Sequence, residues 1–124
     1  MQERFRFRAW DTLKKQYFHD VQFQYDDEVE CFGYMLDDTY KERYVVEQCT
    51  GLKDKNGNLI FEGDIVEYKI PGIPKISAIV HWSPNSVHFW KGSQDLATYK
   101  KTTVIVGNIH ENPELIPKSE IYRY

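Results

Sequence analysis

Three carboxylates, Asp54, Glu62 and Asp64, lie close together in the stretch TGLKDKNGNLIFEGDIVEYK, Thr50 to Lys69. Carboxylates in different environments can split their pKa values and share acid–base work, or together hold a metal ion. A calcium loop of the EF-hand type would need further acids at regular alternation and a closing Glu, which the stretch lacks. Turn chemistry accounts for the same residues more simply. Asn56-Gly57 is a strong hairpin signal and predicts a type I′ turn, in which both central residues take positive φ. Gly63 can supply another positive φ, and Asp64 can accept hydrogen bonds from nearby turn amides. Gly107 and Asn108 are read as bending residues too. The stretch is therefore expected to build the fold, with no catalytic residue, metal or cofactor.

His81 and His88 flank a turn and could face one another across paired strands, but no third ligand has a clear spacing. His19 and His110 are isolated. No G-x-S-x-G and no phosphate-cradling glycine loop is present, and neither cysteine has a catalytic surround. Cys31 and Cys49 lack metal-type spacing and are expected as reduced thiols, Cys49 as a small core residue. Arg4, Arg6 and Arg8 are the main cationic feature. Period two would place them on one strand face, roughly 7 Å apart. Like charges that close need acids opposite, such as Glu28 and Glu30, or a phosphate backbone; Trp10 and Tyr17 could stack on bases. Internal pairing is the expectation, because the chain is acidic. Trp82, Phe89 and Trp90 are expected in the core or at an oligomer contact, with a peptide-gripping groove as the alternative. Lys100 and Lys101 read as a solvated loop.

The elements that must position these residues are short strands. Phe5, Phe7 and Ala9 alternate with the arginines, and Tyr17 to Tyr25 alternates again, so two strands joined by a turn are expected. Gly33 suggests a bend, and DDTYKER a helical turn capped by Asp37 or Asp38. YVVEQCT is a strand, followed by the hairpin. The two prolines of IPGIPK confine it to a loop. ISAIVHW and VHFW form a hairpin around Ser83-Pro84-Asn85-Ser86, TTVIVGNI is a buried-type strand, and PELI a short turn. Ile121 and Tyr122 suggest a docked tail. Many short strands without a long helix predict a mainly β fold. A small, partly open, SH3-like barrel over 50–124 is expected to pack with an N-terminal β unit over 1–49, the whole forming a single domain.

The 124 residues suit one domain with its own core. A 41% hydrophobic and 28% charged composition marks a globular chain, and 15% aromatics favour strands. The net charge of −3 argues against a chain-wide basic footprint. The charged start MQERFRFRAW does not read as a secretory leader, and no apolar run reaches membrane-spanning length.

FRAWD near the start, TGLKDKNGNLIFEGDIV in the middle and VIVGNIHENPEL near the end, in that order from Phe7 to Leu115, resemble the YopX-like family of phage and prophage proteins. The resemblance implies a mostly β protein of phage origin in the bacterial cytoplasm and brings no mechanism with it. The functional expectation is a non-enzymatic binding or interaction module that self-associates. Its contact surface would be drawn from Arg4, Arg6, Arg8, Trp82 and Trp90, and its partner would be a phage or host protein. A nucleic-acid-associated protein using the Arg-rich face is the alternative, and no membrane partner is expected.

Overall fold

The computed structural model describes residues 2–23, 32–37, 43–83, 88–92 and 94–118, with backbone alone at 33, 34 and 88. The predicted strands at Glu28 and Glu30, the thiol of Cys31, the Pro84–Ser86 turn, most of DDTYKER and the tail from 119 lie outside the described residues. The fold is mainly β, as the alternation predicts, and includes a curled half-barrel sheet. The chain divides into two compact units, Met1–Cys49 and Thr50–Tyr124.

In the first unit a 3-10 turn, Glu3–Phe5, leads into β1 (Phe7–Asp11), which pairs antiparallel with β2 (Gln16–His19) and with the start of β3 (Tyr44–Lys53). Asp11 builds the β1–β2 turn: its Oδ1 accepts the amides of Leu13 and Lys14 at 2.9 and 3.1 Å, while Lys15 takes a φ of 55°. The second strand is shorter than its alternation predicts. At Asp20 the chain turns left-handed, φ 53°, and Val21–Phe23 forms a 3-10 turn. Val21 is still fully buried, in a cluster with Ala9, Met35 and Tyr44. Gly33 lies in a short helix α1, Phe32–Leu36, and marks no bend. The helical spacing of Phe32 and Met35 brings both to that cluster, and this outweighs the glycine.

In the second unit β3 ends against β4 (Leu59–Phe61). Then β5 (Asp64–Tyr68), β6 (Ile76–Ser83), β7 (His88–Lys91), β8 (Gln94–Asp95) and β9 (Val104–Asn108) form an antiparallel sheet in the order β8-β7-β6-β5-β9. A 3-10 turn, Pro113–Leu115, follows. Val66 and Tyr68 on β5 and Ala78 and Val80 on β6 supply the period-two face that packs with Ile60 and Leu96. β9 reads as a fully buried strand but lies at the sheet edge. Its pairing with β5 skips Val106, a bulge, and that residue is 36% exposed.

The β3–β4 hairpin forms as predicted, with a different turn. Gly57 has a φ of 85°, but Asn56 is not left-handed, so the turn is not type I′. The Gly57 amide instead donates to the Asp54 carbonyl at 3.0 Å, a tight turn closed by a left-handed glycine. Asp54 holds it: Oδ1 accepts the amides of Asn56 (3.0 Å) and Asn58 (2.9 Å), and Oδ2 accepts the amide of Ile105 in β9 (3.0 Å). Removing this buried acceptor strands three donors. Asp54→Ala should therefore lower unfolding stability by about 2–3 kcal/mol in denaturant titration, and Asp54→Asn, which keeps an acceptor, by clearly less.

Candidate interaction surface

The arginine row does not form one strand face, because β1 begins only at Phe7. Arg4 lies in the 3-10 turn with its guanidinium 5.0 Å from the Phe5 ring centroid. Arg6 pairs with Glu3 (2.9 Å) and Asp20 (2.8 Å). Its hydrogen bond holds the Asp20 carboxyl below the usual carboxylate range, and the two acids raise the guanidinium in turn. Arg8 is buried on Glu47, its cross-strand neighbour, at 2.8 Å, and lies 4.3 Å from the Tyr17 ring centroid. The Tyr17 hydroxyl donates to the same Glu47 oxygen at 2.9 Å. Internal pairing therefore occupies Arg6 and Arg8, and Tyr17 packs on Arg8 and Trp10. A further ion pair, Arg43 on Asp11 at 3.2 Å, closes the far end of β1. Burial alone would push the Asp11 carboxyl up, but the Arg43 bond and the Lys14 and Leu13 amides outweigh it and hold it low.

Two of the three acids in the opening stretch serve the backbone. Asp54 is engaged as described, and buried Asp64 accepts the Phe61 amide at 2.8 Å. Gly63, at φ 84°, donates its amide to the Val80 carbonyl at 2.9 Å and accepts from Ile109 at the same distance. Glu62 is half-buried on the same turn. Asn108 is the hub of the turn after β9: its Oδ1 accepts the amides of His110 and Glu111, and its Nδ2 donates to Glu111. Gly107 lies within β9, where it is required for close approach, not for bending. A Cβ there would sit 2.5 Å from Asn112 Oδ1, which accepts the Asn108 amide.

The histidines are not direct partners. Register sets His81 opposite Trp90 and His88 opposite Ser83, and His81 Nδ1 lies 3.4 Å from the Ile79 carbonyl. No group of three or more metal-ligating side chains occurs among the described residues. Trp82 is 41% exposed and meets Phe89 edge-on at 4.9 Å, while Trp90 is half-buried. Cys49 is fully buried and not part of a disulfide.

The structure gathers a charged surface that the sequence leaves dispersed. Three adjoining hollows in the second unit, of about 530, 350 and 510 Å³, share Lys101 as a common wall. Around them stand Lys53, Lys55, Lys69, Lys75, Lys100 and Lys101, all exposed. Among the described residues, only two carboxylates line the same hollows: Asp54, engaged with amides, and Glu67, 3.6 Å from Lys75. The wall is a built loop. The Thr102 hydroxyl accepts the Lys69 amide (3.0 Å) and lies within hydrogen-bond distance of the Lys69 and Tyr99 carbonyls, and the Lys55 amide donates to the Thr103 carbonyl (2.8 Å).

Lys91 anchors the approach to this loop. It is fully buried in β7, and its Nζ donates to the carbonyls of Leu96 (2.8 Å), Asp95 (3.2 Å) and Thr98, with the Tyr68 ring centroid 4.8 Å away. All three ammonium donors are thereby used. Its parity with Phe89, a residue of the apolar cluster, is the signal that sequence reading could have used.

The chain matches the family model described as YopX protein over residues 6–117. This mainly β chain, with its hairpin-bound loop, belongs to the YopX family. The crystal structure of protein EF1440 from Enterococcus faecalis is similar, with a TM-score of 0.63 and 31% identity over 90% of this chain and 97% of that one. Curated proteins give no match.

Burial pushes the Lys91 ammonium down to about 8, against the opposing pull of Asp95, so it remains charged at neutral pH. Between about 8 and its ordinary 10.5 the unfolded chain binds the extra proton. Stability relative to a Lys91→Met variant should therefore rise with pH across that window, read as the difference in denaturant midpoints.

Proposed function

We propose that this YopX-family protein is a non-enzymatic binding module of phage or prophage origin, working in the bacterial cytoplasm. Its contact surface is the lysine face of the second unit. Of the arginine row, Arg6 is occupied by Glu3 and Asp20 and Arg8 by Glu47, which leaves only Arg4, packed on Phe5. One observation carries the reading: six exposed lysines from four separate segments converge on three adjoining hollows of a chain whose net charge is −3. Bringing like charges together costs folding energy, and an anionic partner offsets that cost. An SH3-like character of the second unit fits the same reading, since small barrels present loops at a rim. Acid–base chemistry at Asp54 and Asp64 is not part of the proposal, because both carboxylates accept backbone amides.

The test is chromatography on immobilised heparin, a generic polyanion. The wild-type chain should be retained at low salt despite its acidic total, and K100Q/K101Q should elute earlier with an unchanged melting temperature. Folded wild-type protein in the flow-through would overturn the reading.

Self-association through Trp82 is a second reading, favoured by a large aromatic left 41% exposed on the β6–β7 ribbon. Light scattering should then show a species larger than the monomer that Trp82→Glu returns to monomer mass. A monomer throughout the accessible concentration range would remove it.

A further inference from the structure

We propose that the lysine face takes single-stranded nucleic acid, with Lys69, Lys100 and Lys101 on the phosphate backbone and the Tyr99 ring stacked on a base. This rests on the binding-module reading above and adds the ligand class. Lys69, Tyr99, Lys100 and Lys101 line the same hollow, of about 530 Å³, together with Pro71 and Ala97. A basic groove with an aromatic platform is the combination by which proteins hold single strands, because every base has a stackable face. An acidic peptide would use the charges but not the ring. A duplex would keep its bases stacked on each other and out of reach.

Tyr99 is set for the task by its backbone. It holds a φ of 58°, a left-handed conformation that a bulky side chain rarely adopts. Its carbonyl holds that geometry by accepting from the Thr102 amide (3.0 Å) and the hydroxyls of Thr102 (3.0 Å) and Thr103 (3.1 Å). Tyr99 remains 38% exposed. Strain kept in place by surrounding bonds, at an exposed aromatic between cations, is what a pre-set contact residue requires. The cations of the face are lysines throughout. Lysine is a point charge without the planar fork that arginine offers a guanine edge, so the contact reads the backbone and is indifferent to sequence.

Fluorescence anisotropy tests this with labelled oligothymidine and oligouridine of about 20 nucleotides, longer than one small barrel covers. The matching duplex and polyglutamate are the comparison ligands. Wild-type protein should bind the single strands more tightly than the duplex. The logarithm of affinity should fall against the logarithm of salt with a slope of about −2, as for three phosphate contacts. K100Q/K101Q should weaken binding about ten-fold or more. Tyr99→Gly keeps the left-handed backbone and should weaken it about five-fold or more without changing the salt slope, while Tyr99→Phe binds like wild type. Should the glycine variant melt early, Tyr99→Asn, which also tolerates that φ, takes its place. Single strands unbound at low salt, duplex bound at least as tightly, equal competition by polyglutamate, or indifference to loss of the ring would each overturn the proposal. If heparin retention survives any of these results, the basic-face reading stands and the ligand class alone is lost. If retention fails as well, both fall.

Discussion

The carboxylate of Asp54 closes the open edge of the second unit's sheet. β9 is the last strand in the order, and its outward backbone groups would otherwise face solvent or another chain. The β3–β4 hairpin meets them instead: the Lys55 amide reaches the Thr103 carbonyl, and Asp54 Oδ2 takes the Ile105 amide. A side chain thus stands where a neighbouring strand's carbonyl would stand. The other oxygen of the same group shapes the hairpin turn. One buried acid therefore fixes the turn, seals the edge and positions the strand end that carries Lys53 and Lys55.

That dual use explains why the basic loop can exist. Tyr99 to Thr103 has no regular ladder of its own; Thr102 ties it to Lys69, the Thr103 carbonyl to Lys55, and Lys91 holds the segment leading into it from beneath. Buried lysine is costly unless every donor is satisfied, and here three carbonyls satisfy it. The charge inside the unit and the charges on its surface act on the same short stretch of chain.

Period-two patterning and turn residues made most of the fold legible. YVVEQCT, ISAIVHW and DIVEY are strands, as their short runs rich in β-branched and aromatic residues suggest, and Gly57 and Gly63 take the positive φ that their positions suggest. What stayed hidden depends on contacts distant in sequence. Internal pairing of Arg8 was legible, but its partner was not: Glu47 lies far along the chain, and Glu28 and Glu30 suggested themselves instead. β9 looked central because apolar side chains do not reveal which strand has only one neighbour. α1 was hidden by Gly33, since one weak helix residue outweighs the other four in a local reading. The lysine face was invisible for the same reason as the partner of Arg8: its members are scattered from position 53 to position 101, and only the pairing of hairpin, β5 end and loop brings them together.

The close approach at Gly107 has a consequence for how this chain can vary. Asn112 fills the volume that a side chain at 107 would claim, and its amide oxygen caps the next backbone N–H. Enlarging the first residue expels the second and breaks the turn that Asn108 organises. The constraint runs one way: a side chain at 107 demands that Asn112 move or shrink, whereas a smaller residue at 112 places no steric demand on position 107.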